Sequence, residues 1–192
     1  AVDGCYAGAV VIADEAKTDS KTAIEGLRGA GVKKVAMLTG DSRKIAEAIG
    51  RELEIDVVYS ELLPHDKVEV LESIIENRKS SEKKTGKIIF VGDGINDAPV
   101  LARADIGIAM GGVGSDAAIE AADIVIMNDE PSKVITAIRI ARKTRTIVWQ
   151  NIIGALGVKG IVLLLGALGF ATMWEAVFAD VGVALLAVLN SM

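Results

Sequence analysis

Apolar residues fall into two regimes along the chain. Up to residue 146 they come in short runs between charged and turn residues, and from residue 147 onward they dominate. In the first regime residues 6–12, 35–38, 57–59, 87–91, 106–110 and 124–127 read as strands. Helices are predicted over about 21–30, from Ser42, and over 66–77, 98–102 and 115–121. Pro131-Ser132 opens a long helix that runs to Arg145 and toward the second regime. Asp3-Gly4 reads as a turn before the first strand, Gly29-Ala30-Gly31 as a helix stop, and residues 78–84 as a charged loop. The run 87–91 is continuously apolar between turn residues, the pattern of a strand buried on both faces. Strand and helix alternate throughout, which predicts an α/β fold with a parallel, doubly wound sheet.

In the second regime, the only clearly polar side chains of residues 147–170 are Gln150, Asn151 and Lys159. At about 1.5 Å per residue a helix over this run reaches roughly 36 Å, enough to cross a bilayer core. A second apolar run, 174–192, is broken by Glu175 and Asp180, and the short link at 171–173 makes the pair a hairpin. Arg139, Arg142, Lys143 and Arg145 precede the first span, which puts the charged domain in the cytoplasm and the link on the far side. Gly154, Gly157, Gly160, Gly166 and Gly169 leave small surfaces for packing against other helices. Glu175 falls near the outer interface, solvated or on an exit path.

Composition adds limits. The chain has 192 residues, is 51% hydrophobic but only 4% aromatic, and holds 20 glycines and 3 prolines. That suits tight strand-to-helix turns and membrane helices alike. A net charge of −5 argues against a nucleic-acid partner. The single cysteine, Cys5, excludes a disulfide framework and reads as a small buried or edge residue. The first residues lack a basic region followed by an apolar run, so no signal peptide is expected.

Ligands of open parallel sheets bind at the carboxyl ends of strands, and three polar clusters fall there. Thr39-Gly40-Asp41 follows one strand, Lys67 sits at a helix start, and Gly92-Asp93-Gly94-Ile95-Asn96-Asp97 follows another strand. This is a set for phosphoryl transfer. Thr39 offers a hydroxyl and Lys67 a charge to phosphate oxygens. Asp93 is a hard oxygen ligand for Mg²⁺, Asn96 a donor, and Asp97 a support for the metal. His65 reads as a surface residue near the site. In the apolar part Lys159 and Asp180 lie deep in their spans, where an ionisable group costs roughly 2.5–3.5 kcal/mol or more. Either they pair and only tie the hairpin, or Asp180 is an oxygen ligand for a transported divalent cation with Lys159 as its counter-ion.

Thr39-Gly40-Asp41, Lys67 and the stretch 92–99 resemble the later motifs of the haloacid-dehalogenase phosphotransferase core. Residues 37–41, 63–67 and 91–99 are similar in wording to P-type ATPases. Asn151 with Lys159, then Asp180-Val181-Gly182, resemble the last two membrane helices of the zinc/cadmium/lead exporters. The resemblance implies a haloacid-dehalogenase-like parallel sheet followed by a two-helix transmembrane hairpin. It implies ATP-driven export of Zn²⁺, Cd²⁺ or Pb²⁺ through an aspartyl phosphate, in a multi-pass protein of the cell membrane. In it Asp93 binds Mg²⁺, Thr39, Gly40, Asp41 and Lys67 serve the phosphoryl group, and Asn96 and Asp97 complete the site. Residues 1–13 would close a nucleotide-binding domain, 14–146 belong to the phosphorylation domain, and 147–192 form the membrane part. Partners are the metal ion, ATP and the lipid bilayer. No Asp-Lys-Thr-Gly-Thr and no Cys-Pro-Cys occurs in the chain. The expectation is therefore a fragment, inactive alone, whose partner is the preceding part of the same polypeptide. The alternatives are a copper or cobalt pump of the same branch, a haloacid-dehalogenase-type phosphatase tethered by the hairpin, and a non-enzymatic regulator.

Overall fold

A computed structural model describes residues 16–80, 86–92, 95–111, 116–128, 130–170 and 172–192. The expected strand at 6–12, the domain end at 1–13, Cys5 and Asp93 lie outside these residues. The chain divides into two compact units, Ala1–Ile135 and Thr136–Met192.

The first unit alternates helix and strand as expected: α1 (Ser20–Gly29), β1 (Ala36–Leu38), α2 (Arg43–Glu52), β2 (Val57–Tyr59), α3 (Pro64–Ser80), β3 (Ile89–Gly92), α4 (Ala98–Leu101), β4 (Ile106–Met110), α5 (Asp116–Ala121) and β5 (Ile124–Ile126). Every strand pair among the described residues is parallel. Among the described residues the strands form two sheets, ordered β1-β2 and β3-β4-β5. The centre of the larger sheet is β4, with Ile108, Ala109 and Met110 buried. β3 corrects an expectation. It is only half-buried and Val91 is 38% exposed, because its single described partner is β4 and burial on both faces belongs to a central strand.

Small residues let these elements come close. Leu101, Ala109 and Ala118 form a core that Phe90, Ala121, Ala122 and Val125 complete. A Cβ on Gly107 would stand 2.6 Å from the Leu101 carbonyl oxygen, so β4 passes against the backbone at the end of α4. On α2, a Cβ on Gly50 would stand 2.5 Å from Val58 Cγ2 of β2. Asp19 precedes α1 yet does not cap it. Its Oδ2 accepts from the N–H of Ser132, just before the long helix that starts at Lys133, at 3.1 Å.

α3 also differs from expectation, because residues 78–80 are helical rather than loop. Arg78 explains the extension. Its guanidinium donates to Asp105 and to the Gly86 carbonyl, so the last turn is tied to the start of the larger sheet.

α6 (Lys133–Ala167) is one unbroken helix, and Val134 and Ile135 in its first turn are buried. From Thr136 onward it forms the second unit with α7 (Met173–Ser191). Both helices are long and apolar enough to cross a membrane. Their large side chains face outward: Leu163 on α6 and Phe178 on α7 are each 74% exposed. Such faces suit hydrocarbon better than water.

Candidate phosphoryl and cation sites

The first site is built at strand ends. β1 runs out at Leu38, and Thr39 continues the pairing by donating its N–H to the Tyr59 carbonyl at 2.9 Å. The chain then turns on itself. The Thr39 hydroxyl donates to Asp41 Oδ2 at 2.7 Å and accepts from the Asp41 N–H at 3.1 Å. The Leu62 N–H donates to the Thr39 carbonyl at 3.1 Å, and the Glu61 N–H to the Asp41 carbonyl at 2.9 Å. Gly40 sits under this crossing, where a Cβ would stand 3.3 Å from the Leu62 carbonyl oxygen. Sequence reasoning found the motif but missed its brace at 61–62, which lies about twenty residues on and carries no motif signal.

The same segment leads into α3. The Asp66 carboxylate accepts from the Leu63 N–H at 2.8 Å, capping the first turn, and Lys67 follows. Lys67 Nζ lies 2.8 Å from Asp97 Oδ1, with both side chains largely buried. Asp97 ends a single turn of 3₁₀-helix, Ile95–Asp97, that follows β3. Gly92 is the residue that lets it lie there, since a Cβ on Gly92 would meet Asp97 Cβ at 2.8 Å and Oδ2 at 3.0 Å. The structure therefore brings Lys67 and Asp97 together and sets Thr39, Gly40 and Asp41 on a loop braced against the entry to α3. Asn96 is exposed on the same turn. His65 is exposed and close to Asp66, as a surface residue would be.

An oxygen-only donor beside an ammonium fits a phosphate–Mg²⁺ pair better than a soft metal. Asp97 meets that test. Its Oδ1 is held by Lys67, and its Oδ2 lies at the end of β3. Nowhere among the described residues do three His, Cys, Asp or Glu side chains gather around one point.

The other end of α3 carries a polar cluster that the motifs did not predict. Asp105 accepts from Arg78 and from the Ile88 N–H at 2.8 Å, and Lys87 Nζ lies 3.5 Å away. The Arg78 hydrogen bond, helped by the Ile88 N–H and by both cationic neighbours, lowers the Asp105 pKa to about 2 against the opposing effect of burial.

The second site lies between α6 and α7. Lys159 Nζ and Asp180 Oδ1 are 2.9 Å apart. They share a cavity of about 320 Å³ whose other walls are apolar, among them Val158, Val162, Val177 and Val183. Toward the other end of the hairpin, Asn190 Nδ2 donates to Asn151 Oδ1 at 2.9 Å and to Gln150 Oε1 at 3.3 Å. Asn151 Nδ2 donates to the Ala187 carbonyl at 3.1 Å. Gln150 and Asn190 were missed as a pair. The signal was available, since an antiparallel hairpin brings the start of one span beside the end of the other. Glu175 is exposed, and its carboxylate accepts from the Thr172 N–H and closes a capping box at the start of α7.

The family described as haloacid dehalogenase-like hydrolase matches residues 1–105. The cadmium, zinc and cobalt-transporting ATPase of Bacillus subtilis (strain 168) is 64% identical over 192 residues, covering 100% of this chain and 27% of that protein. The zinc-transporting ATPase of Synechocystis sp. is 56% identical over 191 residues, covering 100% of this chain and 26% of that protein. Among solved structures, a zinc-transporting PIB-type ATPase in the E2.Pi state matches with a TM-score of 0.82 and 39% identity, over 92% of this chain and 28% of that one. The chain thus spans about a quarter of the length of the relatives it matches.

Proposed function

The chain belongs to the haloacid dehalogenase-like hydrolase family, and from that premise we propose that the complete protein is a P-type ATPase that exports Zn²⁺, Cd²⁺ or Pb²⁺ through an aspartyl phosphate. One observation carries the reading. A single chain joins a strand-end Lys67–Asp97 pair to a Lys159–Asp180 pair walled by apolar side chains between two membrane-length helices. A tethered phosphatase would have no use for an ion pair at that depth, because ionisable groups are costly in an anchor.

In this reading Thr39 and Lys67 bind the oxygens of the phosphoryl group. Lys67 neutralises charge as the group transfers, and Asp97 keeps its ammonium aimed at the strand ends. Asp41 orients the Thr39 hydroxyl, and Gly40 lets the backbone approach. Asn96 is exposed on the same turn and available as a donor. Asp93 and Asp97 would hold Mg²⁺, which supplies electrostatic stabilisation of the transferring group. The phosphorylated aspartate and the ATP site belong to the preceding part of the polypeptide.

The metal ion is cargo. Asp180 offers it a hard carboxylate, and Lys159 takes over the carboxylate when the ion leaves. A carboxylate does not separate zinc from cobalt, which the Bacillus subtilis relative's description also includes, but it disfavours Cu(I). The protein is multi-pass in the cell membrane. The basic stretch at Arg139, Arg142, Lys143 and Arg145 keeps the catalytic unit in the cytoplasm.

The test uses the complete protein in membranes. Asp93→Asn should slow phosphoenzyme turnover by about 10–100-fold. Asp180→Ala should abolish zinc-stimulated ATP hydrolysis while leaving the protein folded. Full zinc stimulation in Asp180→Ala would sink the transport site, and normal turnover in Asp93→Asn would sink the Mg²⁺ assignment.

A further inference from the structure

Glu61 stands in the left-handed region, with φ of 60°, although it is not glycine. That conformation is strained for a residue with a side chain and persists only where the surroundings hold it. What it achieves is visible in the two amides that follow one another at this point. The Glu61 N–H donates to the Asp41 carbonyl and the Leu62 N–H to the Thr39 carbonyl. In an extended strand consecutive N–H groups point to opposite sides. At Glu61 the left-handed turn of the backbone breaks that alternation, and both N–H groups point at one loop.

The Glu61 side chain has a second task. α2 has no acidic residue in its first turn, and its N-cap residue Ser42 makes no side-chain capping bond. Glu61 Oε1 instead lies 3.5 Å from the Arg43 N–H, offering a carboxylate to the positive end of α2 from across the chain. This accounts for a glutamate where glycine would fit the backbone more easily.

We propose that Glu61 is a positioning residue for the phosphate site: its left-handed backbone holds the Thr39-Gly40-Asp41 loop against the entry to α3. The inference rests on the reading that Thr39 binds the phosphoryl group. Glu61 itself touches neither phosphate nor metal. It acts through the Thr39 and Asp41 carbonyls, so that the loop carrying Thr39 is already held in place when phosphate arrives.

The test measures orthovanadate, a phosphate mimic, as an inhibitor of ATP hydrolysis by the complete membrane-embedded protein, alongside its Tm. A β-branched residue is strongly disfavoured at positive φ, whereas glycine adopts it freely. Glu61→Val should therefore raise the half-inhibitory concentration about tenfold. Glu61→Gly should stay within about twofold of wild type, even if the lost carboxylate lowers its Tm. A purely structural Glu61 would shift Tm in both variants and leave vanadate inhibition alone. Unchanged inhibition in Glu61→Val, with Thr39→Ala weakened, overturns the proposal and leaves the phosphate site standing. Unchanged inhibition in Thr39→Ala removes the phosphate site itself and the proposal with it. Should Glu61→Val fail to fold, Glu61→Gly decides alone, since a loss of vanadate affinity in a residue that accepts the conformation overturns the idea.

Discussion

Asp105 is a residue whose worth can be read from its neighbours. It joins the last turn of α3, through Arg78, to the first amide of the larger sheet, through Ile88. Its carboxyl is held at about 2 rather than 3.8. A depressed carboxylate contributes stability above its ordinary pKa, and that contribution fades as pH falls toward the folded value. Thermal melting of the wild type should therefore lose roughly 1–2 kcal/mol of stability between about pH 4 and pH 2. Asp105→Asn should lack this step and melt lower at pH 7. An equal acid slope in both proteins would show that the cluster is idle. The Lys159–Asp180 pair is legible in the sequence, because each member stands deep in its own apolar run. The Arg78–Asp105 pair is not. Its members are 27 residues apart, and each looks like an ordinary surface charge in its own segment.

Elements were legible where their punctuation is local. Gly and Asp mark the end of β1 and of β3, and the strand at 106–110 was placed residue for residue. What failed was burial, because it depends on which strand becomes central. An apolar run such as 87–91 cannot say whether a partner lies on both sides, and β4 took the interior position. The start of α3 also came earlier than expected, at Pro64. Proline is well suited to a first helical turn, and Asp66 caps the Leu63 amide there. The contact between α4 and β4 is the tightest point of this arrangement. Gly107→Ala would push a methyl group to 2.6 Å from a backbone oxygen, which the chain can relieve only by parting helix and strand. The expected cost is about 1–3 kcal/mol, read as a drop in Tm. A wild-type Tm in that variant would mean that the two elements have slack.

At the scale of the molecule, the proposed phosphoryl site is incomplete on this chain in a definite way. In the reading proposed for them Lys67, Asp97 and the Thr39 loop bind and neutralise a phosphoryl group, but the chain holds no Asp-Lys-Thr-Gly-Thr to receive one. Incubated alone with ATP and Mg²⁺, this 192-residue chain should form no acid-stable, hydroxylamine-sensitive phosphoprotein, and label on it would refute the division of labour proposed above. The division into two sheets bears on the same point. β1 pairs only with β2, and β3 only with β4, among the described residues. Each thus keeps an edge of backbone N–H and C=O groups without a strand beside it, and such an edge is a template for another strand. Three or four residues are a short template, too short to hold a stranger firmly but long enough to select a strand delivered nearby. Such an edge can receive a strand that folds beside it. A separate peptide matched to the side chains of β1 or β3 would therefore dock there by backbone pairing, and the exposed edges would be sticky toward it.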